Sequence, residues 1–324
     1  MRICDLGGWT DTWFGGPGRV VNLAVAPGAD VVIDVVDARA RVTLDVDASG
    51  DRYAITPGEP RVARHPLLEA AVDTLAPPDD LAVEIRVGSG VPPGCGAGTS
   101  ASVAVALLGA LAALRSEHPS RDEVAHAAHR LEVDVLGIES GIQDQLCAAH
   151  GGISYIEIDP YPEATVHPLP GWDELGALLT LVHLGRAHTS SDVHDQVIER
   201  VRQQRSDAFA HLREAAVAAR DAVLAHDLHA FGRATIANTD AQRALHPDLV
   251  GVDATRVIEH ARAHEAIGWK VNGAGGDGGS LTILSPTPTA REELERHLPA
   301  LDPRYTVLPI ELSAAGLEVR TTSP

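Results

Sequence analysis

Between residues 92 and 102 the chain reads PPGCGAGTSAS and then runs straight into the apolar segment VAVALLGALAAL. No other stretch limits the fold as much. Gly94, Gly96 and Gly98 leave backbone N–H groups uncovered by any Cβ and open positive φ to the chain. A helix starting directly behind them adds unpaired N–H groups and the positive end of its dipole, an arrangement suited to an anion. Thr99, Ser100 and Ser102 fall where that helix begins and are expected to cap it, ligate a metal or contact phosphate. The same pattern also fits a plain tight turn with an N-cap. Two familiar phosphate motifs are excluded. There is no G-x-x-x-x-G-K-[ST], and the G-x-G lacks the acidic residue that a dinucleotide fold places about 20 positions on.

With 324 residues, 44% of them hydrophobic, the chain has core enough for two domains. Its 26 Lys and Arg against 45 Asp and Glu give a net charge of −19, which repels nucleic-acid backbones and anionic lipid surfaces, and no basic run overrides it. The opening MRICDLGGWTDTWFGG has neither the basic start nor the apolar core of an export signal, and the apolar run at 103–114 is too short to span a bilayer. A soluble, cytoplasmic protein is expected, monomeric or homodimeric, with no nucleic acid or membrane partner. Cys4, Cys95 and Cys147 are too scattered for a disulfide framework and read as reduced, small apolar fillers.

Strand-like runs occur at 20–25, 29–36, 41–46 and 81–87, then at 152–158. Helical patterns cover 100–116, 121–137 and 143–150. Links between the early strands are too short for parallel crossovers, so an α+β layout with antiparallel hairpins is predicted. Four prolines crowd 160–172, where periodicity is lost, and place a domain boundary there. Beyond it lie a strand at 177–185, long helices at 191–224 and 227–242, a helix at 252–267, the strand-like KVNGAGGDGGSLTIL, and a final strand pair at YTVLPIEL and GLEVR.

Three stretches taken together are specific: RICDLGGWTD at 2–11, PPGCGAGTSAS at 92–102 and KVNGAGGDGG at 270–279. In order and spacing they resemble the three signature motifs of the GHMP kinases, the superfamily of galactokinase, homoserine kinase and mevalonate kinase. The resemblance runs over nearly the whole chain. It implies an α+β GHMP kinase fold, with a domain like the second domain of ribosomal protein S5 over 1–165 and a ferredoxin-like domain over 166–324. ATP and acceptor would lie between them.

The resemblance further implies roles for particular residues. ATP would be held by Pro93, Gly94, Gly96, Ala97, Gly98, Thr99, Ser100 and Ala101, and Mg²⁺ by Ser100 and Glu132, although Asp134 and Glu139 lie close in register. The sugar kinases of the superfamily carry an aspartate in G-I-x-D-Q, so GIQDQ at 141–145 gives the base to Asp144, paired with Arg2. Galactokinases read R-V-N-L-x-G-E-H-T-D in the first motif, which matches Arg2 and Asp11 while Gly8 and Trp9 replace the Glu-His pair. Galactose is therefore not the expected sugar. GGWTDT and VVNLAV resemble the branch of L-fucose kinase and D-glycero-D-manno-heptose 7-phosphate 1-kinase, which implies phosphorylation of an anomeric C1 hydroxyl.

The acceptor would meet Gly8, Trp9, Thr10, Asp11, Gly275 and Gly276. Trp9 is expected either to stack on a pyranose or to wedge into a domain interface. Arg186 and His188 either bind a substrate phosphate or occupy a solvated turn. Asp277 interrupts a glycine run and would repel a triphosphate unless turned away, while Lys270 either offsets that charge or lies on the surface. Only Met1 precedes Arg2, so either the first strand is short or the true start lies upstream. A non-sugar alcohol as acceptor, and a catalytically silent regulator that binds sugar and ATP, are the competing readings.

Overall fold

The computed structural model describes residues 1–59, 61–186, 190–203 and 206–322, with the side chains of 190–194 left aside. His188 lies outside the described residues. The strand-like runs of the first half form two sheets. One carries β1 (Arg2–Leu6), β2 (Gly18–Ala26), β7 (Ile153–Ile158) and β8 (Ala164–Leu169) as antiparallel neighbours in the order β1-β2-β7-β8. The other orders β3 (Ala29–Val36), β6 (Ala82–Ser89), β4 (Val42–Val46) and β5 (Asp51–Ile55) as β3-β6-β4-β5. Its β4 and β6 are parallel, an exception to the hairpins expected, because helix α1 (Pro66–Thr74) supplies the crossover between β5 and β6.

The apolar segment behind the glycines is α2 (Thr99–Leu114), buried on nearly every side and packed into one cluster with β4, β6, α3 (Arg121–Arg130) and α4 (Gln143–His150). Gly98, at φ 66° and ψ 32°, starts it without a side-chain cap. The capping expected of Thr99, Ser100 and Ser102 is absent: Ser102 Oγ donates back to the Gly98 carbonyl at 3.0 Å, and Thr99 Oγ1 reaches Met1 Sδ at 3.7 Å.

The second half opens with α5 (Asp173–Leu178) and β9 (Leu179–His183), continues through α6 (Ser190–Gln203), α7 (Ala208–Ala225), α8 (Leu228–Leu245) and α9 (Val252–Ala263), and returns as β10 (Gly268–Val271), β11 (Ser280–Leu284), α10 (Pro288–Leu301) and β12 (Thr306–Leu308). The sheet order is β10-β11-β9-β12, antiparallel throughout. That strand–helix–strand–strand–helix–strand path is the ferredoxin-like one.

The GLEVR strand expected at the end does not form. Instead β13 (Glu311–Leu312) pairs with β2, and the chain beyond it lies on α2 and α4: Leu317 N donates to Ala149 O at 3.0 Å, and the Leu317 side chain occupies the space left by Gly109. The proline-crowded stretch holds β8, which needs no apolar periodicity because it pairs in register with β7 at the sheet edge. The division expected between 165 and 166 falls inside β8, and on this topology we propose that it lies just after that strand. No described helix is long and apolar enough to cross a membrane, and the three cysteines are buried and free.

The two halves meet across β1. One apolar cluster joins Ile3, Leu6, Leu23 and Tyr155 to Leu181, Ala219 and Phe231 of the second half. Cys4, at φ 50°, sits where the β1–β2 register shifts between Ile3 and Leu6. A bulge there resets the alternation of side chains, which lets Arg2 and Asp5, three positions apart, turn toward the same site. Asp5 Oδ1 accepts from Lys270 Nζ and from Gly273 N, each at 3.1 Å, with both side chains of the ion pair 0–1% exposed. Lys270 is thus neither a surface residue nor a counter-charge for Asp277; it is a buried tie from β10 to β1.

Removing one member of such a pair strands the other charge in a dry interior. Lys270→Ala is expected to lower unfolding free energy by about 3–5 kcal/mol in urea titration, whereas the double variant Asp5→Leu, Lys270→Met should recover much of the loss. Equal stability of wild type and Lys270→Ala would show that water reaches the pair.

Candidate active site

The glycine loop, the first strand and the start of α4 converge on Arg2. Its Nε donates to Asp144 Oδ1 at 2.7 Å and its Nη2 to Asp144 Oδ2 at 2.9 Å, a two-pronged contact that fixes the carboxylate plane. Nη1 donates to the Gly96 carbonyl, and the Arg2 backbone N–H to Ala97 O at 3.0 Å. Burial opposes the charge on Arg2, but the carboxylates of Asp144 and Asp5 outweigh it and raise the guanidinium above its usual value. Arg2 and Asp144, assigned from separate motifs, are therefore brought into contact.

The glycines pack closely around this contact. A Cβ on Gly98 would lie 3.2 Å from Asp144 Cγ, and one on Gly96 would lie 3.1 Å from the carbonyl of Asn272 in the third motif. Gly273 in turn packs on Gly96 O. The loop is a wedge between the two halves, its N–H groups leading to the first turn of α2, where Ser100 is exposed. Pro93 is exposed and Gly94 half-buried at the loop's outer edge, and Ala97 and Ala101 are buried under it.

Asp11 is 2% exposed and lies against Gly141, at the head of the segment that carries Asp144. Gln143 N donates to Asp11 Oδ2 at 3.2 Å. Burial and the neighbouring Asp144 charge raise Asp11 from 3.8 to about 7 against the pull of backbone N–H bonds. Glu132 stands in a π-helical turn, Leu131–Val135, that interrupts the end of α3 and rotates its carboxylate inward. Ser140 Oγ and Gln145 Nε2 donate to Glu132 Oε2 at 2.7 Å each. Burial first, and Asp144 next, push Glu132 up to about 7. Glu132 is thus a buried carboxylate crowded by a second acid, a place where a cation would relieve negative charge, while no cluster of three acids, histidines or cysteines able to hold a metal occurs among the described residues.

The remaining assigned residues are mostly structural in their contacts. Thr10 Oγ1 donates to Gly7 O at 2.7 Å and accepts from Arg19 N at 3.1 Å, closing the turn. Gly8 packs against the Asp5 carboxylate. Trp9 is 4% exposed, at φ 76°, in an apolar cluster with Leu212, Leu245 and Leu249, which is the wedge rather than an open platform. Gly275 and Gly276 lie on Leu249, Gly276 N donating to its carbonyl at 3.1 Å. Asp277 is exposed and turned toward Gly251 at the start of α9. Arg186 is paired at 3.9 Å with Asp253, and its carbonyl receives Gly279 N at 3.0 Å.

Sequence reasoning missed the supports. Asn272 accepts from Cys4 N at 3.1 Å and donates to Ser280 and Thr282, while Asn238 of α8 receives Gly7 N at 2.6 Å. Asn272 was legible as the one amide in the third motif. Asn238 had no local signal.

Residues 66–152 match the family model described as GHMP kinases N terminal domain. The chain is 24% identical over 325 residues to the bifunctional fucokinase/GDP-fucose pyrophosphorylase of Arabidopsis thaliana, a match covering 92% of this chain and 31% of that protein, so the chain spans less than a third of that relative's length. It is 26% identical over 249 residues to a mevalonate kinase of Pyrococcus furiosus, covering 74% of this chain and 70% of that protein. Among solved structures, a D-glycero-D-manno-heptose 1-phosphate kinase from Bacteroides thetaiotaomicron superposes with a TM-score of 0.78 at 21% identity, over 99% of this chain and 98% of that one.

Because Asp11 holds its proton more tightly when folded, its contribution to stability is intact below about pH 4 and is lost as pH rises through about 7. In metal-free buffer that loss amounts to up to about 4 kcal/mol. Asp11→Asn should flatten the fall of Tm between pH 4 and pH 8, and a slope identical to wild type would place the titration elsewhere.

Proposed function

Since residues 66–152 belong to the GHMP kinase N-terminal domain family and the chain has the GHMP kinase fold, we propose that the protein transfers the γ-phosphoryl group of ATP to the anomeric C1 hydroxyl of a sugar or sugar phosphate. The observation that carries this reading is the Asp144 carboxylate, gripped through both oxygens by Arg2 beside the glycine loop. Each oxygen keeps a second lone pair, so the carboxylate can still accept a proton.

In the proposed reaction the N–H groups of 94–101 and the start of α2 hold the triphosphate. Ser100 and Glu132 would hold Mg²⁺, which would supply neutralisation of the triphosphate charge. Asp11, beside Gln143 and close to Asp144, takes a hydroxyl of the acceptor and sets C1 toward the phosphate. As the C1 oxygen bonds to the γ-phosphorus, Asp144 accepts its proton and the bond from phosphorus to the β–γ bridging oxygen breaks, releasing ADP with the electron pair. Arg2 keeps Asp144 in one orientation throughout and balances its charge before the proton arrives. ATP and the free sugar are cytoplasmic solutes, and the reading puts the protein there as monomer or homodimer.

A sugar is supported by GIQDQ together with Asp11, and by the similarity to the plant fucokinase. The similarity to a mevalonate kinase favours a second reading, a non-sugar alcohol.

ADP release measured with MgATP over free sugars, sugar phosphates, homoserine and mevalonate should reveal turnover on a sugar, with the new phosphate on C1 by NMR. Asp144→Asn should lower kcat by about 10²–10⁴-fold. Turnover on mevalonate or homoserine alone would overturn the sugar reading, and undiminished turnover in Asp144→Asn would overturn the base. Gly96→Val, whose side chain meets the Asn272 carbonyl, should raise the KM for ATP at least about tenfold while the protein stays folded; unchanged ATP kinetics would remove the loop from the nucleotide site.

A further inference from the structure

Four tryptophans occur in the chain. Three are buried, Trp9, Trp172 and Trp269 at 3–6% exposure, and the fourth, Trp13, is 49% exposed. No other aromatic residue is among the large hydrophobic side chains exposed in the described structure. Exposure of so large an apolar surface on a loop calls for an explanation, and the ring is anchored as well. Its Nε1 donates to Glu139 Oε2 at 2.7 Å, and it meets Phe14 edge-on at 5.3 Å between centroids and 86° between planes. Phe14 itself rests edge-on against Phe209 of α7.

The position of this anchored ring is set by two cross-links between the same two segments. Asp11 packs on Gly141 and accepts from Gln143; Trp13, two residues after Asp11, bonds to Glu139, two residues before Gly141. The loop after β1 and the loop before α4 therefore run side by side, with the Asp11 carboxylate as the inner rung and the indole as the outer. Ile138, next to Glu139, is also exposed, so the outer rung is apolar on both segments.

We propose that Trp13 determines acceptor specificity: its indole stacks on the C–H face of a pyranose ring whose hydroxyl is taken by Asp11. The inference rests on the sugar-kinase reading. An indole with its N–H already bonded offers a rigid apolar face, which matches the apolar face of a hexose or heptose ring and has no counterpart to match in an acyclic alcohol. Trp9, the stacking candidate from sequence, has its ring buried among Leu212, Leu245 and Leu249. Glu139 acts as a positioning residue, fixing the angle of the ring.

The test uses the intact protein and the same panel of pyranoses, pyranose phosphates, homoserine and mevalonate. With the other three tryptophans buried, acrylamide quenching reports on Trp13 without ATP or turnover. A pyranose that is phosphorylated should shield Trp13 from acrylamide. Trp13→Ala should raise its KM about 3–10-fold with kcat and the KM for ATP within about twofold, and Trp13→Phe should recover most of the change. Glu139→Gln, which still accepts from the indole N–H, should resemble wild type, and Glu139→Ala should raise the sugar KM alone. A pyranose that is turned over without shielding Trp13, and with the same KM in Trp13→Ala, overturns the stacking and leaves the kinase reading standing. Failure of every pyranose to bind or react overturns both.

Discussion

Almost everything in the site depends on one guanidinium. Arg2 is 4% exposed, and through its side chain and backbone N–H it meets Asp144 of α4, the Gly96 carbonyl and Ala97. A lysine at this position has no planar fork with which to hold a carboxylate and a carbonyl at once. The glycines take on a second meaning in this light. A Cβ on Gly98 would come within 3.5 Å of Arg2 Cγ, and one on Gly273 within 3.5 Å of Arg2 Nη2. Bare backbone in the second and third motifs thus lies in van der Waals reach of the arginine of the first.

Charge balance explains the unusual state of the acids. Asp5, Asp11, Glu132 and Asp144 lie near one another, and the side-chain cations paired with them are Arg2 and Lys270. Arg2 answers Asp144, and Lys270 answers Asp5. Asp11 and Glu132 are left with hydrogen bonds but no opposite charge, and both are held near 7. A site with surplus acid at neutral pH is ready to accept cations and hydroxyl protons, in keeping with phosphoryl transfer from a metal-bound nucleotide.

Much of this was legible in the sequence, and the omissions have physical causes. Strands such as ADVVIDVV, β-branched and alternating, were read at their true limits because local pattern and tertiary position agree. The contact of Arg2 with Asp144 followed from motifs whose chemistry needs both. Helix α1 went unread because its apolar face is short, and β8 because an edge strand carrying Pro168 has little pattern of its own. Lys270 was misjudged because a lone lysine gives no sign of burial; its partner is 265 positions away. Trp9 was named in sequence as a stacking candidate and Trp13 went unnoticed, because nothing local shows that the ring at residue 9 is buried and the one at residue 13 exposed.

The return of β13 to β2 bears on how the chain is made. A ribosome releases the first sheet in two instalments, with nearly all of it out by Leu169 and its last strand only when residues 311–312 emerge. Until then the edge of β2 near Ala26 stays open, and α4 lacks the segment that Leu317 and Gly316 lay against Ala149. Since α4 carries Asp144, the packing behind the site is complete only once residues 316–317 have been added. The first sheet gains its last strand only after the β10-β11-β9-β12 sheet has been made, and a polypeptide interrupted before that point leaves an unpaired strand edge exposed to other chains.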